Sequence, residues 1–142
     1  MVRQLVYAML WIPTAASLAC TMGPDRRRVL GTLEISEFDP VKVALPEVVS
    51  RNVGFDVVVR TYGGGCTERG DTKVTVKGLS ATVVPFDFEL VGPTLNCPDI
   101  LRSLTHAVEL RFAQAGLARV VVRGWSELQQ DTIDVERTVL VR

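Results

Sequence analysis

A single histidine, His106, stands among 142 residues, so no histidine pair exists to hold a metal ion or to share acid and base roles. One histidine and two cysteines that pair with each other fall short of the four ligands a structural zinc site wants. Aromatic residues make up 6% of the chain, which gives little stacking surface. Neither sign of charge dominates, with 16 basic and 16 acidic residues, and this excludes a global field for nucleic acid or acidic polymers. The glycine run Gly63–Gly65 lacks the following Lys-Ser/Thr and helix of a phosphate-cradling loop and reads as a turn. Asp131, Asp134 and Glu136 do not match the spacing of a calcium loop. No cofactor is expected, and no long stretch carries helical periodicity.

What the chain does carry at its start is a graded pattern. Arg3 is followed by a mostly apolar stretch from Leu5 to Ile12, then Pro13, then the small residues Ala15, Ala16, Ser17 and Ala19. That order of basic, apolar and small-residue regions predicts an export signal over residues 1–19, too short to span a bilayer. Ser17-Leu18-Ala19-Cys20 resembles the lipobox of bacterial lipoproteins. The resemblance implies diacylglycerol on Cys20, which becomes the new amino terminus and inserts in the membrane. Here Ser17 and Leu18 occupy the places where lipoboxes usually have leucine and a small residue, so ordinary cleavage after Ala19 or Ala16 stays open. Residues 20–28 then form a lipid-anchored tether. Thr21 is not the aspartate associated with inner-membrane retention, so the resemblance implies the outer membrane. The eight residues from Thr21 to Arg28 reach at most about 28 Å. Arg26–Arg28 either touch anionic head groups or form a solvated run at the edge of the first strand.

An exported chain with three cysteines needs a reason for the odd one. Lipidation of Cys20 supplies it, and Cys66 and Cys97 are expected to form a disulfide in an oxidising compartment. Closing that loop of roughly thirty residues stabilises the fold by about 3 to 4 kcal/mol in the chain-entropy model.

Residues 29–142 read as strands. Val29–Ile35 suggests a first edge strand, and Val41, Val43 and Leu45 a second, kept at an edge by Pro40 and Pro46. Phe55, Val57, Val59 and Thr61 share one face against Asp56, Arg60 and Tyr62. Cys66–Asp71 reads as a polar loop and Thr72–Lys77 as a strand. In Ser80–Leu90, Pro85 marks a bulge or an edge, after which Phe86, Phe88 and Leu90 face inward against Asp87 and Glu89. Pro98–Arg102 suits one helical turn within the unpatterned stretch 91–103. His106–Phe112 and Leu117–Arg123 form a hairpin or a corner between sheets. Trp125–Asp131 reads as a loop and Ile133–Val141 as the last strand. Phe112 through Gly124 is similar to the segment of bacterial immunoglobulin-like and fibronectin-like domains where a glycine turn separates two strands, with Leu117 and Ala118 in place of a tyrosine. The expected fold is therefore all-β, an immunoglobulin-like antiparallel sandwich of about seven strands, with a small closed barrel as the alternative.

No Ser, His and Asp set can be assembled from this pattern, so the chain is expected not to be an enzyme. His106, at the head of a strand, reads as structural. Tyr62 and Trp125 either present an aromatic face to a ligand or cover the ends of the core. The expected role is a non-enzymatic lipoprotein of the bacterial envelope, binding an envelope protein or polymer through the loops near Gly63–Asp71 and Val91–Ser103. The alternative is an exported hydrolase or carbohydrate-binding accessory domain using His106 with nearby acids.

Overall fold

The computed structural model describes residues 23–142, so the expected signal peptide and Cys20 lie outside the described residues. Ten strands follow in order: β1 (Asp25–Leu30), β2 (Thr32–Glu34), β3 (Val43–Ala44), β4 (Val48–Val49), β5 (Phe55–Gly63), β6 (Thr67–Lys77), β7 (Ser80–Val91), β8 (Arg102–Leu110), β9 (Gly116–Ser126) and β10 (Asp131–Val141). They form one mixed sheet that curls into an open half-barrel. The expectation of about seven antiparallel strands is corrected on both points. The early apolar stretches divide into short pieces, of which β2 lies between β9 and β5 and not at the expected edge, and β7–β9, β2–β9 and β4–β10 pair in parallel.

The layout turns on β7. One edge is taken by β6, while the other is shared, with Ser80–Val83 beside β9 and Phe86–Val91 beside β1. Pro85 stands at the changeover. Its carbonyl accepts the Gly31 N–H at 2.9 Å, and the Gly31 carbonyl accepts the Trp125 N–H of β9 at 2.9 Å. A strand residue points its N–H and C=O to the same edge, so the N–H that proline lacks falls where β9 has already turned away. Gly31 is thus wedged between two diverging strands. β1 runs antiparallel to β7, β2 runs parallel to β9, and the chain reverses at this residue. A side chain here would meet Thr61 Cγ2 at 2.6 Å and the Pro85 carbonyl at 3.1 Å, which explains the glycine. Gly124 is its counterpart on β9, where a Cβ would overlap Leu33 Cγ and approach the Gly31 carbonyl at 2.7 Å.

The core follows the two-residue period. Val57 and Val59 of β5, Ala81 and Val83 of β7, and Ala118, Val120 and Val122 of β9 are fully buried around Leu33 and Phe112. The Phe112 ring lies tilted against that of Phe55, with centroids 5.9 Å apart. The His106–Arg123 region is a corner between parts of the sheet and not a hairpin, since β8 pairs with β5 while β9 pairs with β10, β7 and β2. Cys66 and Cys97 form a disulfide with their Cα atoms 5.2 Å apart. The bridge joins the β5–β6 turn to the β7–β8 loop.

Several local expectations change. Cys66–Asp71 is not a loop, because β6 starts at Thr67 and pairs with Glu89 to Asp87 before a bulge between Arg69 and Thr72. Pro98–Arg102 makes no helical turn, and β8 begins at Arg102. The disulfide holds this stretch in a bend. Trp125 belongs to β9, where it faces Thr132. Asp25–Arg28 is strand and not tether, because an antiparallel ladder with β7 holds it there, with charge pairs added by its side chains. Arg26 pairs with Glu68 at 3.2 Å, Arg27 pairs with Glu89, and Arg28 makes a two-pronged pair with Asp71 at 2.7 and 2.8 Å while lying 3.3 Å over the Phe86 ring. The arginine run is thus the solvated edge of the first strand.

The hydrogen bond from Arg28 holds the Asp71 carboxyl below its usual range, and Arg123 does the same for Asp134. The unfolded chain binds these protons more tightly than the native state does. The contribution is present above the unfolded carboxylate pKa and is lost as pH falls through the lowered values. Arg28→Ala should therefore move the Asp71 titration upward in NMR and flatten the acid limb of a stability-versus-pH curve; an unmoved titration would show that the pair does not hold Asp71. Gly124→Ala should destabilise the fold by about 1 to 3 kcal/mol through forced overlap with Leu33, read from denaturant unfolding, and a neutral result would contradict the close approach.

Candidate functional site

Expectation placed Asp87 on the outer face of β7, after a phase change at Pro85. No such change occurs in β7. The irregularity lies in β6, so the register of β7 runs on and Asp87 stays in phase with Ala81 and Val83. Its side chain enters the interior at 1% exposure, while Phe86 and Phe88 take the other face, half-buried. A carboxylate placed so deeply needs donors, and His106 provides one. His106 of β8, 2% exposed, brings Nε2 within 3.0 Å of Asp87 Oδ1 and 3.2 Å of Thr61 Oγ1, and Nδ1 within 2.9 Å of Thr72 Oγ1. A carboxylate accepts, so Nε2 is the nitrogen that carries hydrogen and donates.

This cluster sits where β6 returns to β8 and makes no ladder with it. Side chains stitch the seam instead. Arg69 of β6 donates to the Thr105 carbonyl of β8 at 3.3 Å, and Arg102 of β8 donates to the Thr67 carbonyl of β6 at 3.2 Å. Thr72 and His106 supply the third link. His106 is therefore structural in its bonding, as its place on the strand suggested, though buried more deeply than a strand head implies.

Beside the cluster, in the angle between β1 and β2, lies a half-open cavity of about 240 Å³. Val29 and Leu30 of β1, Thr32 of β2, Gly63 at the end of β5 and Gly64 after it form part of its wall. Asp87 and Glu89 of β7, Glu127 of the β9–β10 turn and Leu101 of the disulfide-tied loop complete it with Ile35, Tyr62 and Thr67. Asp87 turns Oδ1 to His106, while Oδ2 lies on the side of Gly31, whose neighbours Leu30 and Thr32 line the cavity. Oδ2 makes no hydrogen bond, and neither does the Tyr62 hydroxyl. Among the described residues these are the two buried side-chain polar atoms without a partner, and both belong to residues of one cavity wall. Leaving such an atom unpaired costs about 1 to 3 kcal/mol. The Tyr62 hydroxyl looks toward Asp39 and Lys42, neither of which lines the cavity, so Asp87 Oδ2 is the atom beside the cavity that lacks a partner.

Tyr62 and Trp125, picked out as an aromatic pair, are brought together. They flank Thr32 on opposite sides in the same sheet, and the register puts all three on one face. They do not form an open aromatic platform, since Tyr62 is 6% exposed and Trp125 is half-buried. Lys42 lies 5.8 Å over the Tyr62 ring and pairs with Asp39 at 2.7 Å. The Lys42 ammonium, and after it the neighbouring Tyr62 hydroxyl, hold the Asp39 carboxyl below its usual range, although that hydroxyl keeps no full hydrogen bond. Sequence reasoning missed Asp87, Thr61 and Thr72. The available signal was a lone acid in phase with buried valines, opposite the one histidine. Among the described residues no group of three His, Cys, Asp or Glu could hold a metal ion.

No protein-family model matches the chain, and neither a curated protein nor a solved structure matches it. The assignment of a role thus rests on the residues themselves.

His106→Ala should cost about 3 kcal/mol or more by leaving Asp87 buried without its donor, measured by denaturant unfolding. A loss under about 1 kcal/mol would show that the seam holds without this cluster.

Proposed function

We propose that this chain is an exported, lipid-anchored envelope protein whose half-barrel is a non-enzymatic binding module, with the cavity between β1 and β2 as its binding site. The observation that carries the reading is the unpartnered buried Asp87 Oδ2, on a residue of that wall. The disulfide consumes Cys66 and Cys97 and leaves Cys20 as the odd cysteine, which supports lipidation there. A disulfide also suits an oxidising compartment such as the periplasm. The lipobox-like leader, with Thr21 after the cysteine, favours the outer membrane. The finer fold reading is an immunoglobulin-like sandwich opened along one seam, supported by the β1–β2 segment that leaves β7 for β9 at Gly31.

One arrangement favours a second reading, a hydrolase. Thr72 Oγ1, His106 and Asp87 stand in a hydrogen-bonded line, and Thr72 and His106 line a second cavity of about 260 Å³ with Arg69 and Val108. Burial of the imidazole at 2% exposure favours the binding module, since a general base must reach the substrate's proton.

Two measurements test the first reading. Intact-mass analysis of the membrane fraction should show a fragment beginning at Cys20 with a diacylglycerol increment and a two-proton mass gain on reduction. Crosslinking of the anchored protein in its native envelope should recover a partner protein or polymer. An unmodified Cys20 rejects the anchor, and recovery of nothing above background rejects the envelope partner.

A further inference from the structure

The wall of the cavity between β1 and β2 carries acid without matching base. Asp87, Glu89 and Glu127 line it, and no lysine or arginine does. Glu89 is answered from outside the wall by Arg27. Glu127 receives the neutral Gln130 amide at 2.9 Å. Asp87 spends Oδ1 on His106, and its Oδ2 stays without a donor inside a residue 1% exposed. A buried carboxylate oxygen is best satisfied by a charged donor, whose hydrogen bonds are the stronger kind. The same residues do not suit a metal ion, because no three candidate ligands converge among the described residues.

Size and wall chemistry narrow the class further. A volume of about 240 Å³ compares with about 30 Å³ for each molecule of liquid water, which leaves room for the head and upper stem of one basic side chain. Val29, Leu30 and Leu101 supply an apolar wall of the kind that methylene stems cover.

The geometry points to a site for an organic cation, a guanidinium or primary ammonium group on a short aliphatic stem. Its head lies between Asp87 and Glu127 and its stem against Leu30 and Leu101. This inference rests on the reading of the cavity as the binding site, and it specifies the ligand's charge and shape.

The test is titration of the full-length protein in detergent, followed by amide shifts in NMR. The probes are ethylguanidinium, its neutral isostere ethylurea, and the peptide Gly-Arg-Gly. Ethylguanidinium should shift the amides of Leu30, Asp87 and Glu127 saturably, and ethylurea should not. Asp87→Asn should weaken binding about ten-fold and Glu127→Gln about three-fold, as expected when one charged acceptor is replaced by a neutral one. Glu127 is exposed, so its variant keeps the test valid if Asp87→Asn disturbs the fold through His106. Tighter binding of Gly-Arg-Gly than of ethylguanidinium supports the site and names a protein side chain as the source; the reverse order supports it with a free small organic cation. No saturable shift, equal binding of ethylurea, or undiminished binding in Glu127→Gln overturns the proposal. A partner recovered by crosslinking without any ethylguanidinium binding would defeat the cation site and leave the binding module standing. Cation binding without a recoverable partner would support the site and reject the envelope partner alone.

Discussion

Everything in this half-barrel follows from β7 being unable to keep one neighbour along the edge opposite β6. The ladder with β9 ends at Val83, the N–H that Pro85 lacks falls on that vacated edge, and the edge passes to β1. Gly31 closes the gap by giving its N–H to one strand and accepting from the other. A residue with a Cβ would collide with Thr61 at this point. The consequence is an angle between β1 and β2, and the cavity is the space inside it.

The second consequence is a seam. A sheet that splits at one place and curls at another brings β6 back against β8 without the alignment a ladder requires. Backbone groups left unpaired by such a meeting need other partners. Arginine side chains crossing in both directions supply them for Thr67 and Thr105. His106, with Thr61, Thr72 and Asp87, fills the interior side. A buried histidine and aspartate would be a liability in an ordinary sandwich core. Here they replace missing backbone bonds, which accounts for the chain's one histidine being spent inside.

The candidate site is built from the leftovers of these two compromises. Asp87 has two oxygens, and the seam uses one. The other faces the angle opened at Gly31. The disulfide ties Leu101's loop to the turn that carries Gly64, so two mobile kinds of segment become parts of one wall. Arg26 and Arg28 of β1 answer the acids on the outside of the sheet, Glu68 and Asp71, and Arg27 answers Glu89 on the cavity face. Asp87, deeper on that face, receives no arginine.

Local chemistry by itself determined a good deal. Alternation named the buried faces of β5 and β9, Val57, Val59, Val120 and Val122 among them, because a period of two depends on neighbours in the chain. Cysteine parity named the Cys66–Cys97 bridge, and the proline pairs kept β3 short and at an edge. What the tertiary structure alone decided is pairing. A bulge in β6 and not in β7 turned Asp87 inward, and partners distant in sequence made strand of Asp25–Arg28 and Thr67–Asp71. It set His106 beside an acid 19 residues away and a threonine 34 residues away. Periodicity reports which way a side chain points relative to its own strand. Which strand lies opposite, and hence whether a buried polar atom finds its partner, is a property of the closed sheet.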